Sequence, residues 1–97
     1  MSVKVIVELK LKPGQRAGFL AFVDDIARKD GPMMKVRIGN AMYEVQEDPD
    51  TPIEIAEWES AEAHEAVFRI PGAAEAMAPM MDFLAEPYKS TIVRPLA

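Results

Sequence analysis

The sequence predicts an α+β domain whose elements run in the order β-α-β-β-α-(α)-β. Three observations predict it. Val3, Val5, Val7, Leu9 and Leu11 fall at every second position, the period of a strand with one buried face. Phe19, Phe22, Val23 and Ile26 recur at i, i+3, i+4 and i+7, which makes one apolar stripe on a helix. The stretch from Ala41 to Phe68 reads as two strands, an acidic proline-bearing turn and a capped helix. At 97 residues the chain fits a single domain, 1–97.

In the first strand Lys4, Glu8 and Lys10 alternate with the buried positions, and Ile6 makes the second face partly apolar. Pro13-Gly14 ends the strand, since proline fixes its own φ and both residues suit a turn. The first helix is expected from Gln15 to Lys29. Asp24, Asp25 and Arg28 lie off its stripe, and Arg28 and Lys29 complement the negative end of the helix dipole. Asp30-Gly31-Pro32 stops it, glycine accepting a left-handed cap. Met34, Val36 and Ile38 then alternate with Lys35 and Arg37, a strand pattern. Gly39-Asn40 reads either as a hairpin turn or as a bulge in one bent strand that continues through Ala41–Gln46. The bulged strand is the preferred reading.

Glu47 to Pro52 is expected to be a tight loop, because Asp and Pro each favour turns. The strand from Ile53 to Trp58 puts Ile53, Ile55 and Glu57 on one face and Glu54, Ala56 and Trp58 on the other. Ser60 is the expected N-cap of the next helix, with Glu59 and Glu62 at its positive end. Ala63, Val67 and Ile70 mark the buried stripe of that helix, with His64 and Phe68 beside it. After Pro71-Gly72, a third helix carries Ala73, Ala76, Met77, Met80, Met81 and Leu84 on one stripe. Pro79 should kink it or start a new helix, and Pro87 closes it. Ser90 to Val93 is the last strand. This order is the split βαβ arrangement of a ferredoxin-like domain with a four-stranded antiparallel sheet.

Composition narrows the function. The 11 basic and 16 acidic side chains leave a net charge of −5. That disfavours nucleic acid and anionic membranes as partners, because both need a positive face to displace counterions. No run approaches the ~20 apolar residues of a membrane span, and the alternating N-terminus lacks a signal peptide's apolar core. The absence of cysteine excludes disulfides, thiolate metal sites and a Cys nucleophile, and suits a cytoplasmic setting. One His without an H-x-x-x-H spacing argues against a metal. There is no phosphate-cradling glycine loop, nucleophile elbow or dinucleotide fingerprint. So small a domain is marginal alone, and seven Met and four Phe supply apolar surface for association.

Several short features occur together along almost the whole chain. They are Lys12-Pro13-Gly14 with Phe19-Leu20, Gly39 with Tyr43-Glu44, and the Asp48-Pro49-Asp50 turn. Further on come Glu57-x-x-Ser60 enclosing Trp58, then Ala63-His64, then Ala78-Pro79 ahead of Glu86-Pro87. In this order they resemble the antibiotic-biosynthesis-monooxygenase family of dimeric α/β barrels. The Met33–Ile38 segment departs from the family's shorter Pro-Gly connection. The resemblance implies a homodimer in which two four-stranded sheets face each other, with the C-terminal strand reaching toward the partner.

It also implies a reaction. Family members that oxygenate a phenol or quinol use no cofactor, because the substrate anion itself reduces oxygen. The protein binds the ring, handles a proton and excludes water. On that reading His64 is the base, Tyr43 hydrogen-bonds a substrate oxygen and Trp58 walls the pocket. Phe68, Met77, Met80 and Phe83 line it, and Glu57 orients His64 or takes a proton. Arg37 and Arg94 are conceivable anion anchors. Each has a plain alternative: a core-edge Tyr, a core Trp, a half-buried packing His, an interface carboxylate, a methionine core stripe, solvated arginines. The family's oxygenases place an Asn near the site, whereas Asn40, the only Asn here, is expected in a turn. The haem-degrading branch needs a His on the third helix, and none is there. A non-enzymatic ligand-binding dimer and an isomerase therefore stand beside the monooxygenase.

Overall fold

A computed structural model describes residues 2–29 and 37–97. Its elements are β1 (Val3–Glu8), α1 (Arg16–Arg28), β2 (Arg37–Val45), β3 (Asp48–Trp58), α2 (Ala61–Val67), α3 (Ala73–Met81) and β4 (Lys89–Val93). The strands form one sheet in the order β2-β3-β1-β4, with each neighbouring pair antiparallel. This is the ferredoxin-like topology that the element order predicts. The Asp30-Gly31-Pro32 stop and the residues up to Val36 lie outside the described residues.

Gly39-Asn40 lies inside β2, with a shift in register between Arg37 and Gly39, so the bulged strand is the correct reading. The expected loop from Glu47 to Pro52 is a correction. The turn is only Gln46-Glu47, and β3 already begins at Asp48. Each proline gives up a ladder donor, but its carbonyl still accepts. Pro52 O accepts from Leu9 N at 3.0 Å, and Pro49 O accepts from Arg16 Nη1 at 3.3 Å. Asp50 O accepts from Leu11 N at 2.9 Å, which keeps the chain paired beyond the end of β1.

Ser60 caps α2 as expected, its Oγ accepting from Ala63 N at 3.0 Å, an interaction worth about 1 kcal/mol. Gly72 precedes α3 with φ 87°, a left-handed conformation that glycine adopts without strain. Pro79 lies within α3, which ends at Met81 instead of reaching Leu84.

Strand alternation sets the two faces of the sheet. Val5 pairs with Ala56 and Ile92, and Val3 with Trp58, so these side chains share the face that the helices cover. The core there has two parts. Val3, Val5, Ala56, Trp58 and Val67 form one cluster. Leu9, Leu11, Phe19 and Leu84 form the other. Val7 packs against both. Ile6, paired with Ile55, lies on the opposite face, together with Ile53, Glu57 and Tyr43.

Candidate functional site

A cavity of about 270 Å³ opens under the helices. Val5 and Val7 of β1 are part of its sheet wall. Phe22, Val23 and Ile26 of α1, and Met77 and Met80 of α3, supply apolar surface around it. His64 of α2 and Phe68, which caps the C-terminus of α2, also line it. Met side chains suit such a wall because they repack around ligands of differing shape.

The polar groups come mainly from the edge strand β2 and its neighbour β3. Glu54 and Trp58 of β3 and Arg37 and Asn40 of β2 line the cavity, as do Tyr88 and Ser90 at the β4 end. Asn40 Nδ2 donates to Glu54 Oε2 at 3.2 Å, and Arg37 Nη1 lies 3.8 Å from the same oxygen. The Arg37 and Glu54 side chains retain only 16% and 26% exposure, so this charge pair is partly desolvated.

His64 sits between two rings. Its imidazole meets Trp58 edge-on at 4.9 Å and Phe68 edge-on at 5.1 Å. Its Nδ1 is buried with no hydrogen-bond partner among the described residues. Burial lowers the His64 pKa below its ordinary 6.5, with Glu65 and Glu54 pulling weakly the other way. The imidazole is therefore held neutral near pH 7, the form that accepts a proton.

With its folded pKa below the unfolded value, native His64 binds fewer protons than the unfolded chain. Well above pH 6.5 both states are neutral and the group contributes no pH dependence. As pH falls through 6.5 the unfolded state gains the proton first, so stability declines. Urea unfolding from about pH 7.5 to about pH 5.5 should show a steeper loss for the native chain than for His64→Gln.

The structure unites Trp58, His64, Phe68, Met77 and Met80 on one cavity and separates three other expected residues from it. Tyr43 is a correction: it is 55% exposed and on the opposite face, in register with Ile53. Glu57 is another. It faces the same way as Tyr43 and accepts from Ser2 Oγ at 2.8 Å. Phe83 is the third. It packs on Phe19 at 6.1 Å and Phe22 at 5.9 Å, its Cε1 3.1 Å from where a Cβ on Gly18 would stand.

Asn40 moves the other way. Expected in a turn, it stands on the cavity wall, because the bulge keeps it within β2. Glu54 was overlooked as a site residue, although its alternation with Ala56 and Trp58 already put it on their face. Among the described residues no group of His, Cys, Asp and Glu is placed to hold a metal ion, and no helix is long and apolar enough to cross a membrane.

No protein-family model and no curated protein sequence matches the chain. Solved structures do. A candidate antibiotic biosynthesis monooxygenase from Bordetella bronchiseptica is 22% identical, with a TM-score of 0.81 covering 99% of this chain and 98% of that one. A conserved Methanosarcina mazei protein is 17% identical, with a TM-score of 0.81 over 97% and 92% of the two chains. SnoaB, a cofactor-independent oxygenase from Streptomyces nogalater, is 11% identical, with a TM-score of 0.80 over 99% and 94%. The chain thus has the fold of the antibiotic biosynthesis monooxygenases along its full length.

Proposed function

We propose that this protein is a cofactor-independent monooxygenase that oxidises a quinol-like or polyphenolic molecule with O2. The observation that carries this reading is His64. A neutral imidazole with a buried, unpartnered Nδ1 is wedged between Trp58 and Phe68 at an apolar cavity. Taking a proton from a hydroxyl of the bound quinol leaves an electron-rich anion. The ring then reduces O2, one oxygen atom entering the product and the other leaving as water. The apolar lining excludes bulk water from the reactive anion. SnoaB, of the same fold, is a cofactor-independent oxygenase, which adds support by analogy. A cytoplasmic setting suits a chain without cysteine. Oxygen uptake with a panel of hydroquinones tests the reading. Equal, slow uptake by the native chain and His64→Ala overturns it and leaves a ligand-binding site.

The protein acts as a homodimer in this proposal, through the sheet face that the helices leave open. That face presents Ile6, Ile53, Ile55 and Tyr43, more apolar surface than an open antiparallel face needs. Lys4 and Lys89 share it with Glu8 and Glu57. A two-fold interface requires a patch that complements itself, and mixed charge provides that.

A further inference from the structure

We propose that Glu54 selects a ligand that enters as a neutral phenol, its hydroxyl donating a hydrogen bond to Glu54 Oε1 inside the cavity. This rests on the reading of the cavity as an aromatic-ligand site and adds the chemistry that chooses among aromatics.

The two oxygens of Glu54 are used unequally. Asn40 Nδ2 at 3.2 Å and Arg37 Nη1 at 3.8 Å both approach Oε2. No contact among the described residues falls on Oε1. A carboxylate has about four acceptor sites, so Oε1 retains its full capacity. The hydrogen bond from Asn40 and the ion pair with Arg37 both fall on Oε2, which leaves Oε1 for a ligand donor. The residue lines the cavity on the same sheet face as Trp58, four positions along β3, on the wall a flat ring would meet.

Charge sets the protonation state of the ligand. Arg37 offsets Glu54, and His64 stays neutral. A pre-ionised phenolate would bring a second negative charge against the Glu54 carboxylate in a partly desolvated site, which is unfavourable. A neutral phenol instead gives a hydrogen bond to a charged acceptor, the stronger kind. An aromatic ether fills the same space and leaves Oε1 unmatched, an arrangement that polar sites discriminate against strongly.

Glu54→Gln gives this a sharp test. The Gln amide oxygen must face the donors of Asn40 and Arg37, so its NH2 takes the place of Oε1. The ligand-facing acceptor becomes a donor while the side-chain volume is kept. The experiment is anaerobic titration calorimetry with naphthohydroquinone, its dimethyl ether and naphthoquinone. The native chain should bind the hydroquinone at least about 10-fold more tightly than the ether. Glu54→Gln should lose that preference and shift toward naphthoquinone, which only accepts. Equal native binding of hydroquinone and ether overturns the proposal, and this comparison needs no variant. So does a folded Glu54→Gln that keeps the native order of affinities. No binding of any probe overturns the aromatic-ligand reading and this proposal with it. Because oxygen is absent, a protein that binds selectively but never turns over still supports the role of Glu54.

Discussion

His64→Ala is expected to slow oxygen uptake with hydroquinones by about 100- to 10,000-fold, the contribution of a positioned general base. The size follows from the chemistry. A hydroquinone reduces oxygen readily only after losing a proton, and the imidazole is the cavity group held in its neutral, proton-accepting form near pH 7. The substitution leaves Trp58, Met77 and Met80 in place, so kcat should fall far more than ligand affinity. Tyr43→Phe is the matched control. Its hydroxyl is on the other side of the sheet, so uptake should be unchanged. Equal loss in both variants would place the chemistry elsewhere.

Ile55→Lys is expected to convert a dimer into a well-folded monomer. Ile55 is on the central strand β3, in register with Ile6 on one side and Ala41 on the other. In a single chain its side chain points away from the helices, so a lysine there reaches water and leaves the core intact. In the proposed dimer each lysine would be buried in the interface, costing several kcal/mol without a partner. Association should weaken: the sedimentation-equilibrium Kd should rise at least about 100-fold, with the circular dichroism spectrum retained. A native chain that sediments as a monomer at micromolar concentration contradicts the dimer.

The fold was legible because its signals are local. Alternation in β1, the stripe of α1 and the Ser60 cap each depend on neighbours within a turn or two. The β3 boundary was less so. Pro49 and Pro52 read as turn residues, and only long-range pairing, of Pro52 with Glu44 and Leu9 and of Asp48 with Val45, makes this stretch part of the strand. The site was half legible. Trp58, His64 and Phe68 converge because the end of β3 and the first turns of α2 are close in sequence. Gly39-Asn40 also reads as a turn, and only the pairing of Asn40 with Ala56 places it within β2 on the cavity face, while Tyr43, in register with Ile53, falls on the other face. Glu54 could have been found from its shared face with Trp58. What singles it out, the convergence of Asn40 and Arg37 on one of its oxygens, exists only in three dimensions.

Methyl NMR of methionine-labelled protein tests most directly whether the cavity beneath the helices is the binding site. Met42, Met77 and Met80 line it, whereas Met81 is 47% exposed and outside it. Under oxygen-free titration with naphthohydroquinone, ring currents should shift the methyls of Met42, Met77 and Met80 and leave Met81 unmoved. Saturable binding that shifts Met81 alone, or none of these methyls, would contradict the account.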